Sequence, residues 1–269
     1  MKNKVVVVTG AAGVICSMIA KHFAKLGAKV AMLDLNYEKA KEYEKEFTKE
    51  GLKTKAYKCN VLDKKNIEEV YENIKKDLGK VDVLINGAGG NNPKATADQE
   101  FYDKENKGTS FFDLDPKGIS FVFDLNILGT ILPTQVIAKD MEKGCSIINI
   151  SSMNSYTPLT KIVAYSGAKA SVNNFTQWLA VHLAKVGVRC NAIAPGFLVT
   201  NQNKKLLFND DGTPTQRTGK ILRNTPMERF GEPEEMLGAL EFLVDNEKAS
   251  FITGVIIPID GGFSAYSGV

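Results

Sequence analysis

Tyr165 and Lys169 lie in a segment, Ala164 to Lys185, whose apolar spacing predicts a helix. At i and i+4 the two side chains share one helix face. A phenol with a pKa of ~10 exchanges protons poorly near neutrality. An ammonium a few ångström away favours the phenolate and lowers that value. Such a pair can pass a proton to or from an alcohol or carbonyl oxygen. Just upstream, Ser151 and Ser152 follow a strand-like run, Ser146 to Ile150, and a serine hydroxyl there can polarise a carbonyl oxygen. Taken alone, the Tyr–Lys spacing is equally that of a surface contact on a helix. The serines, and a second constellation near the N-terminus, give it chemical company.

That second constellation is Thr9-Gly10-Ala11-Ala12-Gly13, which joins a valine-rich run (Lys4 to Thr9) to Ile15, Ile19, Phe23 and Leu26 at helical spacing. A turn of this kind offers free N–H groups and the positive end of a helix to a diphosphate, and glycine lets the backbone approach closely. Many strand–helix turns hold a glycine and bind nothing. Asp34 strengthens the reading, because it ends the next apolar run about twenty residues on, where a carboxylate accepts the ribose hydroxyls of NAD. A 2′-phosphate would be repelled there, and no Arg follows to receive it.

The elements that must position these residues alternate along the chain. After Lys4 to Thr9, strand patterns recur at Lys29 to Leu33, Lys53 to Cys59, Val81 to Ile85, Ser146 to Ile150, Val188 to Ile193 and Val255 to Ile259, with helical patterns between them. One of these helices, from about Tyr37 to Glu50, is highly charged; another starts at Asp63, a capping residue. This rhythm predicts an α/β fold: one doubly wound domain over residues 1–269, with about seven parallel strands and helices on both faces. Two polar stretches, 90–120 and 201–227, break the rhythm and read as long loops over the C-terminal strand ends, where substrate would sit. The second is expected to act as a lid.

Composition narrows the function further. In 269 residues, 34 Lys+Arg face 31 Asp+Glu, a net charge of +3 too small for a protein that works by neutralising nucleic-acid phosphates. No apolar run approaches the ~20 residues of a membrane span, and the N-terminal valines are too short for a secretory signal. Cys16, Cys59, Cys145 and Cys190 are widely spaced and lack metal-ligand spacing. The expectation is a cytoplasmic protein with reduced cysteines, no metal, no nucleic-acid partner and no membrane partner.

With these residues in view, the sequence resembles the short-chain dehydrogenase/reductase family, from Thr9 to Gly262. The family's Ser and Tyr-x-x-x-Lys pattern falls on Ser152, Tyr165 and Lys169. Its further catalytic Asn falls on Asn126, and its Asn-Asn-Ala-Gly motif on Asn86-Gly87-Ala88-Gly89, with one substitution. Pro195-Gly196-Phe197-Leu198-Val199-Thr200 and Asp260-Gly261-Gly262 match two more motifs. The family's glycine turn keeps Thr9 and Gly10, while Val14 and Cys16 replace its later glycines and Gly13 lies one place early. Asn60 stands where the family has an acidic residue facing adenine.

The resemblance implies a Rossmann fold and an oxidoreductase using NAD(H) in preference to NADP(H). It implies that Tyr165 is the general acid–base and that Lys169 lowers its pKa and holds the nicotinamide ribose. Ser152 would bind the substrate oxygen, and Asn126 would position a water in a relay through Lys169. The implied cofactor contacts are Thr9, Gly10, Gly13, Val14, Ile15, Asp34, Asn60, Val61, Asn86, Gly87, Ala88, Tyr165, Lys169, Pro195, Gly196, Leu198 and Thr200. Family members are commonly tetramers, so a homotetramer is expected.

On the substrate side, Asn91, Asn92, Lys94, Asn154, Lys161, Lys204, Lys205, Arg217 and Arg223 outnumber large apolar groups. Of these, Asn91, Lys94, Asn154, Lys161 and Arg217 are the candidate substrate contacts. Amides and cations suit a small polyol bearing a carboxylate. The segments NGAGGNNPK (86–94), FFDLD (111–115), LPTQ (132–135) and FSAYSGV (263–269) are similar to a subgroup usually assigned as D-mannonate oxidoreductase, or fructuronate reductase. Another sugar-acid or polyol dehydrogenase of gluconate 5-dehydrogenase type, an oxoacyl-thioester reductase, and a nucleotide-binding sensor without turnover remain open alternatives.

Overall fold

The computed structural model describes residues 1–200 and 207–268. The first strand, β1 (Val5–Thr9), is buried throughout, and its valines divide between two cores. Val5 and Val7 pack with Leu84, Ile147 and Leu179. Val6 and Val8 pack with Ile19, Phe23, Ile148 and Ile193. A sheet covered on both faces demands such an unbroken apolar run. The other strands are β2 (Lys29–Asp34), β3 (Thr54–Lys58), β4 (Val83–Asn86), β5 (Ser146–Ile150), β6 (Arg189–Pro195) and β7 (Ile256–Ile259). They form one seven-stranded sheet in the order β3-β2-β1-β4-β5-β6-β7, parallel at every pairing. The doubly wound α/β sheet expected from the sequence is present, with strand edges within two or three residues.

Helices α1 (Val14–Lys25) and α2 (Tyr37–Lys49) supply Ile19, Phe23 and Phe47 to one core. Helix α3 (Lys64–Asp77) supplies Ile67, Val70 and Ile74 to the other. The Asp63 carboxylate accepts the Asn66 N–H and so caps α3 as predicted. Chain order reverses between β1 and β4, so the crevice at their C-terminal ends is the ligand side of such a sheet.

Three expectations are corrected. The stretch 90–120 is not wholly irregular, because helix α4 (Pro116–Phe123) starts inside it. Asp115 accepts the Lys117 N–H and Pro116 occupies the first turn, a start signal that local polarity had hidden. The stretch 201–227 likewise contains a helix, Gln216–Arg223, capped by Thr215; its residues 201–206, with Lys204 and Lys205, lie outside the described residues. Finally, α4 runs through a π turn (Asp124–Leu128) into α5 (Gly129–Ile137). The continuous 25-residue run Pro116–Asp140 is long and apolar enough, by length and composition, to cross a bilayer. Asp124 and Asn126 interrupt the apolar sequence but not the helix. This run packs on β4, on α3 and on α6 (Val163–Leu183), as a core helix does.

Candidate active site

Helix α6 carries Tyr165 and Lys169 on the face turned to the end of β5, and the turn after β5 carries Ser152. The Ser152 hydroxyl neighbours the Tyr165 hydroxyl closely enough to act on its pKa. Lys169 is buried, and its Nζ donates to the Ile150 carbonyl at 2.7 Å while lying 5.7 Å from the centre of the Tyr165 ring. Burial lowers the Lys169 pKa from 10.5 to about 8. Burial pushes the Tyr165 phenol up, and the neighbouring Ser152 hydroxyl pulls against it. The sequence predicted that Lys169 would lower the phenol's pKa. In the ligand-free protein the ammonium is aimed at the Ile150 carbonyl and faces the ring rather than the hydroxyl, so Ser152 is the group that opposes burial.

Asn126 sits in the π turn, fully buried. Its Nδ2 donates to Val122 and Gly90 carbonyls, both at 2.7 Å, and its Oδ1 accepts the Gly90 N–H at 3.1 Å. A π turn widens the helix by one residue per turn, and such turns are frequent at functional sites. Here it aims one amide across at the loop after β4. A Cβ on Gly89 would lie 2.6 Å from Asn126 Oδ1 and 3.2 Å from Lys169 Nζ, so only glycine fits between them.

At the other end of the crevice, Gly13 starts α1 with no side-chain cap, and Val14 and Ile15 line the opening. Gly10 has φ +69°, and a Cβ there would stand 2.8 Å from Ala88 Cα. Asp34 accepts the Ala12 N–H at 2.9 Å and the Asn36 N–H at 2.7 Å, which fixes its carboxylate at the rim. Asn60 accepts the Leu62 N–H at 3.0 Å.

One cleft of ≈ 780 Å³ joins these groups. Gly10, Gly13, Val14, Ile15, Asp34, Asn60, Val61, Gly87, Ala88, Ser152, Tyr165, Lys169, Pro195, Gly196, Leu198, Thr200 and Arg217 all line it. Thr9, Asn86 and Asn126 stand behind its wall. Thr9 Oγ1 accepts the N–H groups of Gly87 and Ala88 at 3.1 and 3.2 Å, so it clamps β1 to the loop after β4 and does not face the opening. Asn86 Nδ2 is used by Thr134 and Asn149, both at 2.9 Å.

Four expected substrate contacts are not among the lining residues. Asn91 donates to Thr96 at 2.8 Å. Lys94 is exposed beside Asp115. Lys161 is exposed, and its carbonyl holds the Ala97 N–H. Asn154 is folded into the turn after Ser152. Sequence reasoning also missed apolar walls, for Phe121, Leu125, Phe197, Leu207 and Phe230 line the cleft. The i, i+4 spacing of Phe121 and Leu125 on a helix that starts earlier than expected was the available signal.

A family model described as enoyl-(acyl carrier protein) reductase matches residues 10–264, almost the whole chain. The chain belongs to the short-chain dehydrogenase/reductase family. It is therefore an oxidoreductase, and its family resemblance extends over full length. A solved Haemophilus influenzae structure, provisionally named D-mannonate oxidoreductase and holding NAD, matches at TM-score 0.97 and 61% identity, over 100% of this chain and 98% of that one. An uncharacterized oxidoreductase of Haemophilus influenzae is 61% identical over 100% of this chain and 96% of its own length. The uncharacterized oxidoreductase UxuB of Bacillus subtilis is 50% identical over 100% and 98%.

Proposed function

We propose that this protein uses NAD(H) to interconvert a keto sugar acid and its hydroxy acid, with D-fructuronate and D-mannonate as the pair. The observation that carries this reading is Arg217. It is the one arginine lining the cleft among the described residues, and it shares that cleft with Ser152, Tyr165 and Lys169. A guanidinium recognises a carboxylate with two parallel hydrogen bonds, while the proton-transfer groups meet the carbonyl. The provisional name of the Haemophilus structure points the same way.

The residues present fit a dinucleotide. Gly10 packs directly on the Ala88 backbone, where any Cβ would collide, the first turn of α1 opens on the cleft at Gly13, Val14 and Ile15, and the Asp34 carboxylate is held at the rim by two backbone N–H groups. The first turn of α1 would hold the diphosphate, Asp34 the adenosine ribose, and Asn60 and Val61 the adenine. Lys169 and Tyr165 would hold the second ribose, with Pro195, Gly196, Leu198 and Thr200 along the carboxamide side. When bound, the nicotinamide supplies or accepts the hydride. The chain's own groups handle the proton. Ser152 binds the substrate oxygen, Tyr165 donates its proton to that oxygen in reduction and removes it in oxidation, and Lys169 stabilises the phenolate left behind. Asn126 fixes the loop that carries Gly89 and Gly90 beside Lys169.

The assembly proposed is a homotetramer, supported by an exposed apolar face where Trp178 and Phe175 of α6 adjoin Ile127 and Ile131. A cytoplasmic location is proposed on the four buried free thiols. The test of function is NADH consumption with a panel of keto sugar acids, neutral ketoses and acetoacetyl thioesters. Turnover of D-fructuronate well above the neutral ketoses is expected. A preference for 5-ketogluconate would move the substrate to the gluconate 5-dehydrogenase type. Turnover of thioesters alone, or NADH binding without turnover, would overturn the reading.

A further inference from the structure

Ser155 lies in the 3-10 turn directly after Ser152, and Asn173 lies on α6 one turn beyond Lys169. The Ser155 hydroxyl donates to the Ser152 carbonyl at 2.6 Å. Its one proton is thereby used, so its oxygen is free to accept, and Asn173 Nδ2 donates to it at 2.7 Å. That orients the amide so that Asn173 Oδ1 accepts the Ser151 hydroxyl at 2.5 Å. Ser151 Oγ also lies 3.4 Å from Ser155 Oγ and from the Lys169 carbonyl, and its 2.5 Å bond to Asn173 is much the shortest of the three. Ser151, in turn, is fixed to β6 through its N–H to the Ile193 carbonyl.

We propose that Asn173 is a positioning residue, whose carboxamide closes a hydrogen-bonded ring that holds the Ser152 turn at a set distance from the face of α6 bearing Tyr165. The proposal rests on the roles given above to Ser152 and Tyr165. Tyr165, Lys169 and Asn173 fall at i, i+4 and i+8 on one stripe of the helix. Two of these residues are placed at the chemistry, and the third fastens the opposing wall. Ser152 Oγ accepts the Asn154 N–H at 3.2 Å, so a fixed turn leaves the hydroxyl proton directed into the cleft. If the ring opens, the turn retains its own bonds and the 3.4 Å contact of Ser151 Oγ with the Lys169 carbonyl, but loses its short ties to α6, and the Ser152 hydroxyl moves away from Tyr165.

The nearby Ser152 hydroxyl lowers the Tyr165 pKa against burial, which supplies a readout that simple destabilisation does not move. The ionisable groups around the phenol are few. Lys169 is on its own helix, and Cys16 of α1, Asp34 of β2 and Arg217 share the cleft. The α4 side packed on the ring is apolar, with Val122 and Phe123. None of these is altered by a change at position 173.

The test compares Asn173→Leu and Ser155→Ala in the full-length enzyme, with Tyr165→Phe as control. Sugar-acid oxidation is followed against pH, and NAD affinity by fluorescence quenching. Asn173→Leu should lower kcat by about tenfold, leave NAD affinity unchanged, and move the pH midpoint of oxidation upward by about half a unit or more. Ser155→Ala should give the same pH shift, and it carries the test alone if Asn173→Leu does not fold. An unchanged midpoint in the folded variants, with or without a lower Tm, overturns the proposal. Full activity in Tyr165→Phe would instead overturn the reading of the site on which it rests.

Discussion

Lys169 is predicted to destabilise the protein that depends on it. Its pKa falls from 10.5 to about 8 because the ammonium is buried. At 1.36 kcal/mol per unit, holding it charged at neutral pH costs the ligand-free fold about 3 kcal/mol. Lys169→Met keeps the length of the side chain and removes the charge. It also removes the 2.7 Å bond to the Ile150 carbonyl, a loss of about 1 kcal/mol. The variant should therefore be more stable near neutrality by about 2 kcal/mol, a rise in Tm of about 5 °C for a chain of this size, and inactive. The sign with pH follows from proton counts. Between pH 8 and 10.5 the folded state binds fewer protons at this site than the unfolded state, so its contribution to stability rises with pH. From about pH 7 to about pH 9.5 wild type should gain about 2 kcal/mol that the variant does not. Cys59 and Cys190, raised to about 12 by burial, act in the opposite direction but equally in both proteins, whereas Cys16, also raised by burial, loses in the variant the lowering effect of the Lys169 charge, which adds to the difference above neutrality. The quantity to read is thus the difference between wild type and variant in urea unfolding at the two pH values. A difference independent of pH, or a less stable variant at neutral pH, would refute the reasoning.

Tyr165→Phe should reduce kcat by ~10²–10⁴-fold, because it removes the transferable proton, and change NAD affinity little; stopped-flow turnover and a binding titration separate the two. Asp34→Ala should raise the NADPH-to-NADH ratio of kcat/KM by about tenfold, equivalent to about 1.4 kcal/mol, as the carboxylate no longer repels a 2′-phosphate. It should also weaken NADH binding, since the Ala12 and Asn36 N–H groups lose their acceptor. Arg217→Met should raise KM for a keto sugar acid by ~10–100-fold, matching the ~1.5–3 kcal/mol of a charged hydrogen bond. A neutral ketose, assayed beside it, should be unaffected.

The sheet was legible because both of its faces are covered. An unbroken valine run leaves no other way to bury β1, and the stretches between runs are long enough, with helical spacing, to return each strand parallel to the last through a crossover helix. Tyr165, Lys169 and Ser152 were legible because they lie on consecutive pieces of chain, a strand end and the helix that follows it. Legibility failed where spacing alone had to place a side chain. Asn91, Lys94 and Lys161 read as substrate contacts by their charge and polarity, yet each finds a local partner or solvent. The brace through Asn173 is invisible in sequence, since it depends on which of several hydroxyls donates. The helical start at Pro116 was present as Asp115-Pro116, but the polar residues before it masked the periodicity. Phe121 and Leu125, which line the cleft, were consequently not picked out.

The altered glycine turn shows most clearly how separate departures in sequence become one feature in space. Cys16 replaces a glycine of the family turn on α1, and Gly87 replaces an asparagine of the motif after β4, 71 residues away. In the structure these positions face each other. The Cys16 sulfur stands over the Gly87 carbonyl at 3.7 Å, and a Cβ on residue 87 would collide with that sulfur. The Cys16 side chain on one wall occupies the space that a side chain at position 87 on the other wall would need. The backbone of both walls can then keep its course. Thr9 Oγ1 still holds the Gly87 and Ala88 N–H groups, and Gly10 still abuts Ala88. A turn that looked degraded when its glycines were counted in line is therefore intact in its contacts, because close packing constrains the sum of the two volumes rather than either residue alone.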